Sequence, residues 1–365
     1  MNHRHKLILL PPNRVWRTYP GGRTLDTLAG APAPADSHFA EDWIASTTRA
    51  VNRGREDIVE GLSAVRVGHD PAPRDLAALI AGDPGYFLGE AHLLAHGPQP
   101  QLLVKFLDSG TRLHFQVHPT REFARRVLGA PSGKTEAYHV LGTRDVPGER
   151  SGCIYVGFQR PPTPAQLREY IRTQDIAAIE ACFDPIPVRP GDTFIIPGGT
   201  PHALGAGVFM VEIQEPSDLV VRFEFERAGY LLPKSARFMG RDLDFALTVF
   251  NLAPLPPAEL ARRVRCEARR IRELGAGSWQ DELIGPDRTD CFRVTHTRLG
   301  GAVVRPGEGT AAIAIVTAGR VVAEAGGERH RLDTYEKCFL PAGLGPVRFT
   351  PEDGGAELLE CFPPA

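Results

Sequence analysis

Short apolar runs separated at close intervals by Pro and Gly set the texture of this chain. Runs at 101–106, 112–117, 137–141, 153–158, 192–196, 209–214, 220–225, 311–317, 320–325 and 356–362 either alternate apolar with polar residues or are apolar throughout. Half-buried and fully buried strands read in these two ways. Helical periodicity is rarer. The stretch 165–183 carries Leu167, Ile171, Ile176, Ala177 and Ile179 as an imperfect stripe, and Thr163 and Pro164 before it make a good helix start. In 257–274 the first half looks helical, while 264–268 alternates like a strand. The pattern predicts a mostly β chain with few helices.

An internal echo refines this picture. Residues 192–202, ending Pro197-Gly-Gly-Thr-Pro-His202, have a counterpart at 335–346, where Pro346 stands in the place of His202. The chain therefore reads as two β-barrel-like units, of which only the first keeps the histidine. We expect a first unit over 1–230, a connecting segment of mixed helix and strand over 231–289, and a C-terminal β unit over 290–365. The last is expected to be structural or to cover the edge of a site.

With 365 residues, 42% hydrophobic and 24% charged, the chain is long enough for two or three domains with a substantial core. A net charge of −2 gives no general electrostatic reason to bind nucleic acid or an anionic membrane. The arginines of 257–274 are interleaved with glutamates and read as a solvated face. The apolar run near the start, 7–10, is stopped by two prolines and is too short for a signal or membrane segment; it reads as a first strand of a cytoplasmic protein. Six scattered cysteines without a C-x-x-C pair read as buried free thiols.

The chemistry concentrates in two segments. In Leu113-His114-Phe-Gln116-Val-His118-Pro119, strand alternation places His114, Gln116 and His118 on one face. Gly133-Lys134-Thr-Glu136 follows, and His202 comes after the Pro-Gly-Gly-Thr-Pro turn. Gln116, His118, Glu136 and His202 make an oxygen and nitrogen donor set suited to Zn²⁺, with Mn, Fe, Co or Ni as alternatives. The plain alternatives are a local Lys134–Glu136 ion pair and a loop-tip histidine. Glu212 and Gln214 share a face, and Arg222 lies on the strand expected to return beside them. A carboxylate and a guanidinium beside a metal suit proton transfer on a hydroxy-carbonyl compound, and the simpler reading is a cross-strand Glu212–Arg222 pair.

At these residues the chain resembles the type I mannose-6-phosphate isomerases, metal-dependent proteins of the cupin superfamily. The matching pieces are Phe106 through Pro119, Gly133-Lys-Thr-Glu136, Pro187 through Leu204, and Val211-Glu-Ile-Gln214 on to Ser217, Asp218 and Arg222, with weaker matches at Val15-Trp16, Gly21-Gly22 and Glu41-Asp-Trp43. The resemblance covers about residues 10–230 well. It implies a cupin-type β-barrel, or jelly roll, that carries the metal, followed by a second cupin-like β domain. It further implies Gln116, His118, Glu136 and His202 as metal ligands and Lys134, Glu212 and Arg222 as polar active-site residues. The implied reaction interconverts mannose 6-phosphate and fructose 6-phosphate through a cis-enediol, with Glu212 and Lys134 as candidate bases. The chain departs from the family where His114 replaces a usual serine, Thr120 a usual aspartate, and Phe223-Glu-Phe225 an aromatic-rich Arg-x-Tyr-Asp segment. His114 is expected on the substrate side, either donating to a phosphate or marking a different sugar. No Gly-rich phosphate loop is present, so scattered side chains must hold any phosphate.

The expected protein is thus an aldose–ketose isomerase with a sugar or sugar phosphate as its partner, monomeric or homodimeric. A sugar-binding or regulatory cupin without turnover is the alternative, and an iron oxygenase using His114, His118 and His202 a more distant one.

Overall fold

In a computed structural model the chain is described over residues 3–52 and 54–365. It is mostly β, 35% strand against 17% helix, with antiparallel sheets in a cupin-type arrangement. Three sheets hold nearly all the strands. The first has seven, in the order Arg265–Cys266, Thr193–Ile196, Glu136–Thr143, Val208–Gln214, Leu103–Asp108, Glu41–Ile44 and Arg14–Val15. The second has five: Ile186–Pro187, Cys153–Val156, His202–Leu204, Gln116–Val117 and Val221–Arg222. The third has eleven and holds the C-terminal strands together with Ile8–Leu9, Ala64–Val67 and Arg74–Asp75.

Strand alternation explains why the seven-stranded sheet reads as almost continuously apolar. Leu107, Tyr138, Val140, Val208 and Met210 pack with Ile154, Val156 and Leu204 of the five-stranded sheet. Their neighbours Val104, Phe106, Ala137, Phe209, Val211 and Ile213 pack on the opposite side against Ile313, Phe339 and Leu359 of the third sheet. Both faces are buried, so polar alternation disappears. Where it persists, at Lys105, Glu136 and Glu212, the polar residue belongs to the inward set and is buried.

The element boundaries differ from the sequence reading in instructive places. The run 112–117 is paired as a strand only at Gln116–Val117. Upstream, the Phe115 amide donates to the Glu224 carboxylate at 3.0 Å and the Leu113 amide to the Leu204 carbonyl at 2.8 Å, so these groups are satisfied outside a regular ladder. The predicted pair 311–317 and 320–325 is one strand, Ala312–Ala325, with register shifts between Val316 and Ala318 and between Gly319 and Val321. These irregularities let a single strand bend where the sequence suggested a break. The helix expected over 165–183 is two, Pro164–Thr173 and Ile176–Glu180, divided by Gln174 in a left-handed conformation and re-capped by Asp175. The segment 257–274 splits as its pattern suggested, into the helix Pro257–Arg263 and the strands Arg265–Cys266 and Arg269–Gly275. Three short helices, Leu76–Gly82, Pro84–Leu88 and Glu90–His96, escaped the sequence reading because each has at most seven residues and Pro or Gly marks their joints.

The internal echo has a structural counterpart: Thr193–Ile196 and Lys337–Leu340 are equivalent four-residue strands, each followed by proline. All six cysteines are buried and unpaired. Among the described residues no helix is long and apolar enough to cross a membrane.

One contact beneath the barrel carries a pH signature. His139 lies buried on the side of the seven-stranded sheet that faces the third sheet, with Nδ1 3.0 Å from the Thr193 hydroxyl and its ring 6.3 Å from that of His296, which pairs with Glu357. Burial, with a smaller push from His296 against the pull of Glu357, lowers the His139 imidazole from 6.5 to about 3. Between these values the unfolded chain binds a proton that the native chain does not. Its contribution to stability is therefore complete above about pH 6.5 and lost as pH falls toward 3. A slope of up to ~1.4 kcal/mol per pH unit from this group is expected in acid unfolding titrations, and His139→Gln should flatten it.

Candidate metal centre and active site

The site lies between the two sheets of the first barrel. Gln116, His202 and Arg222 come from adjoining strands of the five-stranded sheet, where Gln116 is in register with both His202 and Arg222. Glu136 and Glu212 come from neighbouring strands of the seven-stranded sheet. His118 stands just beyond Gln116–Val117 and bridges the gap.

Two glycines clamp the chain at that bridge. A Cβ on Gly133 would lie 2.4 Å from the Arg121 nitrogen, and one on Gly198 2.7 Å from the Thr120 Cα. Only a bare backbone approaches this closely. The contact is locked by the Lys134 amide donating to the Pro119 carbonyl at 3.0 Å and the Gly199 amide donating to the His118 carbonyl at 2.7 Å. Gly133 thereby brings in Lys134 and Glu136, and Gly198 brings in His202. Gly198→Ala is expected to cost ~1–3 kcal/mol by overpacking and to weaken metal retention. Denaturant titration and metal analysis of the purified variant check both effects.

His118, Glu136 and His202 are buried, with ligand atoms all within 4.8 Å of one another. His118 Nε2 is 3.3 Å from Glu136 Oε2, and His202 Nε2 is 3.0 Å from Glu136 Oε1. Each imidazole is fixed from behind: His118 Nδ1 meets the Leu219 carbonyl and His202 Nδ1 the Thr200 carbonyl, both at 2.8 Å. A carbonyl accepts only from a protonated nitrogen, so in the neutral form of each ring the lone pair sits on Nε2 and faces Glu136. This is the arrangement of metal-binding histidines with their orienting partners. Gln116 Nε2 lies 3.3 Å from His202 Nε2, and exchanging its amide oxygen and nitrogen adds a fourth donor. Among the described residues the donor set therefore fits a divalent ion with nitrogen and oxygen ligands and no thiolate.

Charge reinforces the geometry. The Lys134 ammonium donates to Glu136 Oε2 at 2.8 Å and to His118 Nε2 at 3.0 Å. Burial works to raise the Glu136 carboxyl, but Lys134 above all holds it well below the ordinary carboxylate range. Burial and Lys134 lower the His118 imidazole to about 3, which keeps it a neutral donor. The plain Lys134–Glu136 ion pair is thus present, inside the ligand cluster rather than instead of it.

Glu212 faces the same cavity. It is not paired with Arg222, because the two residues sit on different sheets. Instead Glu212 Oε2 is 3.1 Å from Lys105 Nζ, without a well-aligned hydrogen bond, and its Oε1 is 3.8 Å from Lys134 Nζ. Burial raises its carboxyl despite both lysines. Arg222 donates to the Ala236 carbonyl at 3.2 Å and is lowered to about 10 by burial and by Arg17. Behind them Arg17 bridges Glu41, at 3.3 Å, and Asp218, at 3.0 Å.

His114 also lines the cavity, but as an uncharged group. Its Nδ1 meets the Glu224 carbonyl at 3.2 Å, its Nε2 has no well-aligned hydrogen-bond partner among the described residues, and burial together with Arg222 lowers it to about 3. Sequence reasoning assigned no role to Arg17, Tyr19, Lys105 or Tyr138, which line this cavity too. Lys105 carried a usable signal: a lysine within Leu103–Asp108, a strand otherwise apolar up to its final aspartate.

An outer cavity of about 430 Å³ shares Thr18, Asp218, Val220 and Arg222 with this inner one and is lined further by Arg49, Ser132 and Tyr230. The arrangement is a polar cleft with Gln116 and His118 in its wall, Glu136 and His202 buried behind them, and a wider mouth.

The fold and this cleft define a cupin-type protein with a candidate metal centre. No family model matches the chain. It is 25% identical over 263 residues to the Bacillus subtilis (strain 168) protein named "Probable mannose-6-phosphate isomerase GmuF", covering 72% of this chain and 75% of that protein. It is 32% identical over 161 residues to the mannose-6-phosphate isomerase of Streptococcus mutans, a match that spans 44% of this chain and 48% of the relative. Among solved structures, the mannose 6-phosphate isomerase of Bacillus subtilis superposes with a TM-score of 0.72 at 19% identity, over 98% of this chain and 99% of that one. A variant of the phosphomannose isomerase of Salmonella typhimurium does so with a TM-score of 0.70 at 17% identity, over 99% of this chain and 100% of that one. The resemblance to type I mannose-6-phosphate isomerases is borne out, in sequence by these relatives and in fold along almost the whole chain.

Proposed function

We propose that this chain is a divalent-metal-dependent aldose–ketose isomerase that interconverts mannose 6-phosphate and fructose 6-phosphate through a cis-enediol. The observation that carries this reading is the convergence of His118, Glu136 and His202, each imidazole anchored by a carbonyl, beside the cleft that His118, Glu212, Lys134 and Arg222 line. The similar proteins bear the names of enzymes for this reaction. Gln116, His118, Glu136 and His202 hold the ion, zinc being our choice. Bound there, it would supply a Lewis acid for the substrate's carbonyl and hydroxyl oxygens.

The remaining chemistry belongs to the chain's own residues. The Glu212 carboxylate takes the proton from C2 of the aldose and returns it to C1 while the hydroxyl proton passes from O2 to O1 through the cis-enediol, and the reverse reaction runs through the same group. Lys134 steadies the oxygen that gains charge, and Arg222 supplies a second positive charge at the opening to the outer cavity. The phosphate end lies in that wider cavity, near Arg49 and Ser132. His114, with Nδ1 engaged and Nε2 free, accepts a hydrogen bond from a sugar hydroxyl. The third sheet supports the floor of the barrel. A cupin that only binds sugar would gain nothing from an under-partnered buried carboxylate beside the ligand set.

Incubating the Zn²⁺-loaded protein with mannose 6-phosphate in deuterated water tests the reading. Fructose 6-phosphate should form, with deuterium entering at C1 or C2, and unphosphorylated mannose should react more slowly. Absence of turnover and exchange with Zn²⁺, Mn²⁺, Co²⁺, Ni²⁺ and Fe²⁺ alike would overturn it.

A further inference from the structure

A second group of ligating side chains stands on elements unrelated to the barrel site. His69 lies in the turn between Ala64–Val67 and Arg74–Asp75. Glu328 and His330 lie two apart on Glu328–Leu332 and so project to one face. The ligand atoms of the three residues all fall within 4.8 Å of one another. Glu328 Oε2 is 3.5 Å from His330 Nε2, close to the ~3.4 Å that separates two donors on a tetrahedral ion with bonds of ~2.1 Å. The His69 and His330 rings stack with centroids 4.3 Å apart.

Two further features suit a ligand set. Lys6 Nζ takes the other carboxylate oxygen, Glu328 Oε1, at 2.8 Å, which fixes the carboxylate and leaves Oε2 for the cluster. Gly68, at φ +57°, makes room for that oxygen, because a Cβ there would lie 2.1 Å from Glu328 Oε2. His330 is buried, whereas His69 is exposed and, apart from its ring contact with His330, has no hydrogen bond or ion pair with another described residue that would compete with an ion.

The geometry points to a second divalent-metal site at His69, Glu328 and His330, open to water on its exposed side and suited to Zn²⁺ or another late first-row ion. Two imidazoles and a carboxylate match that preference, and a hard ion such as Mg²⁺ would ask for more oxygen. An ion there ties the turn after Ala64–Val67 to the strand Glu328–Leu332, two segments remote in sequence, and so acts as a structural staple. This site is independent of the proposed isomerase reaction. The competing account is a Lys6–Glu328–His330 polar network beside a surface histidine.

Zinc retention by the full-length chain decides between them. After equilibration with Zn²⁺ and gel filtration, elemental analysis should find about two ions per unaltered chain, from one four-donor and one three-donor set. His69→Ala and Glu328→Gln should each hold about one fewer, while Glu136→Ala should lose the other ion and keep this one. Zn²⁺ should raise the unfolding midpoint of Glu136→Ala but not that of Glu136→Ala/His69→Ala. His69→Ala removes an exposed side chain, so an unchanged midpoint without metal verifies its fold. Equal zinc content in the unaltered chain, His69→Ala and Glu328→Gln would overturn the site whatever Glu136→Ala does, and Glu136→Ala alone reports on the barrel centre.

Discussion

Glu136→Ala is expected to strip the metal from the barrel centre and to lower kcat/KM by ~10³-fold or more, since even loss of a residue that merely orients a ligand costs ~10–100-fold in metal affinity. Glu136 is fully buried and reaches His118, His202, Lys134 and Tyr138 at once, so no neighbour replaces it. Its removal also leaves the buried Lys134 ammonium with Glu212, at 3.8 Å, as its one counter-charge among the described residues. Breaking such a buried pair from one side costs ~3–5 kcal/mol, so lower stability should accompany the loss of metal. His202→Ala separates the two effects. It removes a ligand without stranding the ammonium, and should lose the metal with a smaller fall in the denaturation midpoint. Retention of the metal and full activity by either variant would sink the proposed centre.

Glu212→Gln is expected to lower kcat by ~10²–10⁴-fold, the usual worth of a positioned general base, with metal content unchanged. Glutamine keeps the shape and loses the charge. Lys105 keeps Glu41 at 3.6 Å, so the network behind the site retains an anion. Lys134→Met is the necessary comparison, because Lys134 is the other candidate base. If Glu212 moves the proton, Glu212→Gln should abolish deuterium entry at C1 and C2, whereas Lys134→Met should slow turnover and leave exchange detectable. The opposite result would transfer the role to Lys134.

Much of the site was legible because its signals are local. Gln116 and His118 alternate on one face over two residues, and His202 follows a turn whose Pro and Gly residues are visible as such. Glu136 follows a glycine that the structure needs for a contact too close for any Cβ. The Glu212–Arg222 pair failed as a reading because nearness in sequence suggested a hairpin, while the chain crosses between sheets at Pro216–Asp218 and Arg222 pairs with Gln116. Arg17, Tyr19 and Lys105 went unassigned for the same reason: their partners Glu41, Asp218 and Glu212 are distant in sequence. His114 was legible as a residue of the cavity face, but its charge was not, since burial and Arg222 set it.

By itself the sequence determined the mostly β class, the positions of many strands though not Glu41–Ile44, Ser278–Ile284 or Arg293–Leu299, the echo between two units and the donor types of the candidate centre. These depend on side-chain period, turn chemistry and residue identity, all of which act over a few neighbouring positions. Only the tertiary structure decided which strands share a sheet, that Ile8–Leu9 pairs with Lys337–Leu340, which charges neutralise one another, and that His69 meets Glu328 and His330. Those outcomes follow from long-range packing: a buried charge takes its partner from whatever strand the closed sheets bring beside it, however far along the chain that strand lies.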